Sequence, residues 1–345
     1  MRINSRAEKV KHAAIGPIAV YLPEKEETND DLLREFPNWN MSAIFDKTGI
    51  RKRHIAADDE TSGDMAVKAA LKLFDEYSID PQSIDYLLLC TQTPDYFLPT
   101  TACLVQNRIG MRTTTGALDF NLGCSGFVYG LSLADGLIRS GSVGRVLLIT
   151  SETYSKFIDK ADRSLRTIFG DGAAATLIEP VDEQSMRGFS FGTDGKGADT
   201  LLVREGGFRP EPDALKPRHK HRWKSQLYMD GPSLINFGVA VIPEIFELIL
   251  EKANIDRDQI DYYLMHQATV KMLEQMQIRL GLPDGSVPLY LEDVGNTVSA
   301  TIPLLIQNMR DQGQLTATQE TMMIGFGVGW SWAGCIWRDL LNPSR

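Results

Sequence analysis

The chain matches itself. Residues 78–93, Ser-Ile-Asp-Pro-Gln-Ser-Ile-Asp-Tyr-Leu-Leu-Leu-Cys-Thr-Gln-Thr, align without gaps to residues 254–269, Asn-Ile-Asp-Arg-Asp-Gln-Ile-Asp-Tyr-Tyr-Leu-Met-His-Gln-Ala-Thr. The offset is 176 residues, and seven of the sixteen positions are identical. Leu122-Gly-Cys-Ser125 parallels Val294-Gly-Asn-Thr297 at an offset of 172, and Arg145–Ser151 parallels Thr321–Gly327 as a second pair of β-like runs. One such match is within the reach of chance. Three in the same order point to a duplicated unit of about half the chain. Whatever one half folds into, the other must fold into again.

Each half reads as strands alternating with helices. In the first, helices are expected over Ser62–Tyr77, Ala102–Ile109 and Ser125–Ser140, and strands over Asp85–Cys90, Gly116–Phe120 and Val146–Thr150. In the second, helices are expected over Ser233–Ala253, Val270–Leu280 and Val298–Arg310, and strands over Tyr262–Met265 and Met322–Phe326. This alternation favours predominantly parallel sheets covered by helices, a layered α/β architecture. The division that follows is an N-terminal extension (1–12), a first half (13–180), a connecting segment (181–232) and a second half (233–345). Within the connection, Arg204–Lys224 is rich in Pro, Gly and charge and reads as a long loop.

The chemistry concentrates at equivalent points of the two halves. Cys124 sits where an apolar strand run meets Gly123 and then a small-residue helix. A thiol at such a turn faces the free N–H groups and positive end of the helix, which is expected to lower its pKa. Asn296 occupies the same turn in the second half, and His266 closes a strand there. Halves related by a pseudo-twofold would bring all three into one pocket. His12, His54, His219 and His221 lie in charged surroundings and read as solvated.

Composition narrows the setting. The net charge of −9 argues against a nucleic-acid binder. Cys90, Cys103, Cys124 and Cys335 show no CxxC pairing, which suits free thiols in a reducing cytoplasm. No apolar stretch approaches the roughly 18–20 residues of a membrane span. The basic N-terminus (Arg2, Arg6, Lys9, Lys11) precedes a strand pattern broken by Gly16 and Pro17, not a signal-peptide core. A cytoplasmic protein without membrane contact is expected.

A family resemblance rests on motifs in order: Lys47-Thr-Gly-Ile-Arg-Lys-Arg-His54, Leu122-Gly-Cys-Ser-Gly-Phe127, Asp162-Arg163, Phe169-Gly-Asp-Gly-Ala173, Met265-His-Gln-Ala268, Gly295-Asn-Thr297 and Gly325-Phe-Gly-Val-Gly-Trp-Ser-Trp332. They run from Lys47 to Trp332, and the resemblance they carry covers roughly residues 13–338. The chain resembles the thiolase-like condensing enzymes, specifically the β-ketoacyl-acyl carrier protein synthase III family. The resemblance implies a thiolase-like fold of two duplicated halves in α-β-α-β-α layers. It also implies that Cys124 carries the acyl group as a thioester, with the backbone N–H groups of Cys124 and Val328 as oxyanion hole. His266 and Asn296 would donate hydrogen bonds to a malonyl thioester on acyl carrier protein as it loses carbon dioxide. Lys47, Arg163, Leu98, Gly231, Ile235 and Gly327 would contact the acyl chain or coenzyme A. The thioesters of coenzyme A or carrier protein are substrates; no metal, nicotinamide or flavin cofactor is expected. A homodimer is expected, with Leu98 reaching across it.

Departures from the family pattern bear on the acyl donor. Ala43 and Lys47 stand where the housekeeping enzyme has a tryptophan and an arginine that grip adenine, although Arg163 is retained. Leu98 replaces a phenylalanine at the end of the acyl pocket. A specialised condensing enzyme or acyltransferase using a non-acetyl donor is the alternative. Carrier-protein docking would need local basic residues on an acidic protein, and Arg218, Lys220 and Arg222 in the connecting loop, with Lys271, are candidates. Relatives with other chemistry fit less well: Cys335 lies in a core-like strand pattern, and no catalytic glutamate stands out. An inactive partner subunit is the alternative of another class, and the intact Cys124, His266 and Asn296 argue against it.

Overall fold

A computed structural model describes residues 11–209 and 226–342. In chain order the elements are β1 (His12–Tyr21), β2 (Glu26–Thr28), α1 (Asn29–Glu35), α2 (Met41–Thr48), β3 (Lys52–His54), α3 (Ser62–Tyr77), β4 (Tyr86–Cys90), α4 (Thr101–Arg108), β5 (Gly116–Phe120), α5 (Gly126–Arg139), β6 (Val146–Glu152), α6 (Arg163–Arg166), β7 (Gly172–Val181), β8 (Met186–Thr193), β9 (Leu201–Val203) and β10 (Leu227–Met229). They continue with α7 (Gly231–Ala253), β11 (Tyr262–Met265), α8 (Val270–Leu280), α9 (Thr301–Asp311), β12 (Thr321–Gly327) and β13 (Ser331–Trp337).

Two sheets carry the fold, in the orders β1-β7-β6-β4-β5 and β8-β13-β12-β11. Read side by side, the second repeats the first without its last strand. In each, one equivalent pair is parallel: β4 with β6, and β11 with β12. The remaining ladders are mixed. β1–β7, β6–β7, β12–β13 and β13–β8 are antiparallel, and only β4–β5 adds another parallel pair. The expectation of predominantly parallel sheets is therefore corrected. Between β12 and β13 lie only Val328, Gly329 and Trp330, a turn too short for a parallel crossover.

Side chains alternate across each strand, and the two faces of each sheet feed different cores. Leu88, Leu148 and Ile178 of the first sheet join Leu264, Met323 and Trp337 of the second, together with Leu131 of α5 and Leu305 of α9. Leu87, Leu89, Leu147 and Ile149 face the opposite way, toward α3 and α4. Tyr263, Met265, Met322 and Ile324 likewise face α7 and α8. The layers are thus α-β-α-β-α, with α5 and α9 between the sheets.

The duplication extends to small details. A short 3-10 turn at Pro81–Ser83 recurs at Arg257–Gln259, again 176 residues on. Helices α3 and α7 both end on a left-handed residue, Ser78 at φ 52° and Asn254 at φ 50°. Within the segment assigned to the connection, β8 is the edge strand of the second sheet, while residues 210–225, including Arg218, Lys220 and Arg222, lie outside the described residues. One helix does meet the length and composition of a membrane span, contrary to the sequence expectation: α7, with a mean hydropathy of 1.8. It buries Phe237, Ile242, Ile245, Phe246 and Ile249 in the outer core of the second half.

The halves are tied across the central layer by a buried arginine. Arg310 of α9 holds Asp339 at 2.9 Å through Nε and also through Nη2, and donates to the Gly16 carbonyl of β1 at 2.7 Å. Both charged side chains are almost fully buried.

Candidate active site

Cys124 stands two residues before the first residue of α5, in the central layer. Ser125 is packed behind it, its hydroxyl 2.6 Å from that of Ser331 at the start of β13. The neighbouring turn from the second half is built from glycines for want of room. A Cβ on Gly327 would lie 2.8 Å from the Cys124 sulfur, and one on Gly325 would lie 2.6 Å from the Cys124 carbonyl oxygen. The backbone N–H groups of Cys124 and Val328 both face the sulfur.

The thiol's acidity runs against expectation. Burial pushes the Cys124 pKa up to about 12, and the nearby Glu152 carboxyl adds to the rise. The two N–H groups act in the expected direction and are outweighed, because removing a thiolate from water costs more than they return. Cys124 rests here as a neutral thiol.

His266 follows β11 and is buried. Its Nδ1 lies 2.8 Å from the Thr301 hydroxyl, and burial depresses its pKa to about 3, so the imidazole is neutral at physiological pH. Asn296 is fixed twice. Its backbone bridges Phe169, with Asn296 N–H donating to the Ile168 carbonyl at 2.9 Å and Gly170 N–H donating to the Asn296 carbonyl at 3.1 Å. Its side-chain oxygen accepts the Val298 N–H at 2.9 Å. With Oδ1 so occupied, the amide presents its Nδ2 hydrogens as donors.

Cys124, His266 and Asn296 line one cavity of about 130 Å³, together with Gly231, Ile235 and Gly327 and a largely apolar wall that includes Phe169, Leu234, Phe237 and Phe326. The sequence placed all six in the site, and the fold brings them together. The other candidates do not line it. Lys47 and Arg163 are exposed on α2 and α6, and Leu98 is 87% exposed. Lys271 is exposed and paired with Glu274 at 3.2 Å. His54, expected to be solvated, is mostly buried, with Nδ1 2.7 Å from the Pro23 carbonyl. Cys335 is fully buried in the core, as its pattern suggested.

Three side chains escaped sequence reasoning: Thr301, Ser299 and Glu152. The first two sit in an ordinary polar run. Glu152 had a signal, being an acid that closes the apolar run Val146–Thr150.

A duplicated layered fold, with a cysteine at a central helix start beside a histidine and an asparagine from the other half, defines a thiolase-like condensing enzyme, an acyltransferase. The profile described as 3-Oxoacyl-[acyl-carrier-protein (ACP)] synthase III matches residues 118–195, and its C-terminal counterpart matches residues 250–339. "Beta-ketoacyl-[acyl-carrier-protein] synthase III 2" of Halalkalibacterium halodurans is 36% identical over 95% of this chain and 97% of its own. The synthase III of Lactococcus lactis subsp. lactis is 36% identical over 94% of this chain and 98% of its own. A crystal structure of a 3-oxoacyl-(acyl-carrier-protein) synthase III superposes with a TM-score of 0.90 at 44% identity, covering 95% of this chain and 99% of that one. The chain belongs to the 3-oxoacyl-[acyl-carrier-protein] synthase III family.

Proposed function

We propose that the protein joins an acyl thioester to malonyl-acyl carrier protein, with loss of carbon dioxide, to give 3-oxoacyl-acyl carrier protein. The observation that carries this reading is that Cys124, His266 and Asn296 share one largely apolar cavity. Cys124 attacks the acyl carbonyl, the bond to the donor sulfur breaks, and the donor leaves as a thiol with the cysteine's proton. The malonyl carboxylate then departs as carbon dioxide, leaving its electron pair on the α-carbon as an enolate. Asn296 Nδ2 donates to the enolate oxygen. His266 donates from Nε2 in the tautomer protonated there, which requires the Thr301 hydroxyl to turn its single hydrogen from the Val298 carbonyl, 3.1 Å away, to Nδ1.

The enolate carbon attacks acyl-Cys124, and the N–H groups of Cys124 and Val328 hold the tetrahedral oxyanion. Collapse breaks the carbon–sulfur bond. The released sulfur takes up one proton from solvent once the product leaves, since its pKa of about 12 keeps it protonated at rest. An apolar wall favours the earlier steps by excluding water from the enolate and the thioester. The reaction so written consumes the two thioesters and one proton from water.

The reading includes a homodimer, supported by an exposed apolar run in which Tyr96 is 62%, Phe97 70% and Leu98 87% accessible. It also includes a cytoplasmic location, which four free cysteines support. Mass spectrometry of the intact protein after exposure to coenzyme A and carrier-protein thioesters tests the first step. Acyl label on Cys124, released as 3-oxoacyl product with carbon dioxide once malonyl-carrier protein is added, is expected. Label that passes only to alcohols or amines, or no label with any donor, overturns the proposal.

A further inference from the structure

Glu152 closes β6 with its carboxyl completely buried. Its partners come from both halves of the chain. Oε2 accepts the Gln92 N–H at 3.0 Å and lies 3.4 Å from the Thr93 hydroxyl, both beyond the end of β4. Oε1 lies 2.8 Å from the Ser299 hydroxyl, three residues past Asn296. The titratable groups facing it are Cys90, Cys124, Tyr154 and Asp171. Burial raises the carboxyl's pKa to about 8, so it is largely the neutral acid at neutral pH.

The segment it touches is strained. Val298 is a buried β-branched residue at φ 56°, in the left-handed region that such side chains rarely adopt. The turn that contains it fixes both hydrogen-bond donors of the proposed reaction. Val298 N–H occupies Asn296 Oδ1 at 2.9 Å. Thr301 Oγ1 lies 3.1 Å from the Val298 carbonyl and 2.8 Å from His266 Nδ1. A strained conformation persists only where its surroundings over-determine it. From the first half, Glu152 holds the middle of this turn by accepting from the Ser299 hydroxyl at 2.8 Å, and Cys90 also bonds that hydroxyl.

We propose that Glu152 is a positioning residue, a clamp from the first half that holds the Asn296–Thr301 turn in the geometry that presents Asn296 and His266 to the enolate. It acts through Ser299 and Val298, not on the substrate. The carboxyl accepts from the Gln92 N–H through Oε2 and from the Ser299 hydroxyl through Oε1. A glutamine keeps the shape of the side chain and one acceptor oxygen for the Gln92 N–H, and its amide meets the Ser299 oxygen once that hydroxyl turns its hydrogen toward Cys90. The inference rests on the proposed condensation for its kinetic consequence, while the clamp itself can be read without any reaction.

The experiment compares wild type with Glu152→Ala, Glu152→Gln and Ser299→Ala in three readouts. Backbone amide exchange over residues 294–301 is expected to quicken about tenfold or more in Glu152→Ala and to stay near wild type in Glu152→Gln. Acylation of Cys124 by an acyl-coenzyme A is expected to stay within about threefold in all variants. Condensation kcat is expected to fall about thirtyfold or more in Glu152→Ala, with KM for malonyl-carrier protein little changed, and to recover in Glu152→Gln. Ser299→Ala should shift the same quantities in the same direction, and the Glu152→Ala/Ser299→Ala pair should lose little more than Glu152→Ala alone. Unchanged exchange in Glu152→Ala overturns the clamp, as does loss of acylation and condensation in equal proportion. Were the wild type itself unable to condense malonyl thioesters, the reaction proposal would fail, and the exchange readout would still decide the clamp.

Discussion

His266 is a base that has been kept from behaving like one. Burial alone lowers its pKa to about 3, whereas an unfolded histidine titrates near about 6.5. Between those values the unfolded chain binds a proton that the folded chain refuses. Stability contributed by this residue is therefore present above the upper value and lost as pH falls through the window. Replacement by asparagine should make the protein less sensitive to acid, seen as a smaller drop in thermal midpoint between about pH 7 and pH 4.5. Parallel declines in the two proteins would contradict this. Cys124 teaches the complementary lesson. Its position at a helix start was legible, but the sign of its pKa shift was not. Local sequence shows the dipole and hides the desolvation, which is set by Phe169, Leu201 and other residues far along the chain that pack around the thiol.

At the scale of elements, the two outer helices end alike. Ser78 and Asn254 close α3 and α7 in left-handed conformations, and both are exposed. Glycine adopts that conformation without a Cβ penalty, and asparagine tolerates it better than serine does. Ser78→Gly should raise stability by about 0.5–1 kcal/mol in denaturant titration, and Asn254→Gly by less. A larger gain at Asn254 would refute the ranking. Most elements were readable from the residues. The strands over 116–120 and 262–265 and the helices over 62–77 and 270–280 stand where expected, because long periodic runs flanked by turn residues leave little freedom. The antiparallel strands were harder. β7 reads as a run of small and apolar residues with no alternation, since both its faces are covered. The sequence pattern predicts a helix from Val298, whereas α9 begins at Thr301, because the turn before it is held by Val298 N–H and Ser299 hydroxyl bonds to Asn296 and Glu152 that no local propensity encodes.

For the whole molecule, what matters is how firmly the halves are joined. Arg310 and Asp339 form a bidentate pair at the junction of α9, β1 and the segment after β13. Asp339→Ala would leave a buried guanidinium uncompensated, at a cost of about 3–5 kcal/mol. The loss should appear in equilibrium unfolding, while replacing both residues with apolar ones of similar volume should recover much of it. A single substitution costing under about 1 kcal/mol would show that water reaches the site. The pairing of distant turns into one cavity was legible from the duplication, since equivalent turns must meet at a shared axis. The edge of the acyl pocket was not, because Leu98 is 87% exposed and does not line its own chain's cavity.

The central layer has a bearing on heredity. Cys124 arrives with one half of the chain, and His266 and Asn296 arrive with the other, so neither half owns a reaction. The offset of 176 residues sets His266 opposite Cys90, and that of 172 sets Asn296 opposite Cys124, so equivalent turns of the two halves carry different chemistry. A crossover between two relatives in the segment joining the halves would leave both folds whole, yet would unite the nucleophile of one parent with the donors of the other. Selection on such a chimera would act first on the seam, where Glu152 meets Ser299 and Val328 meets Cys124.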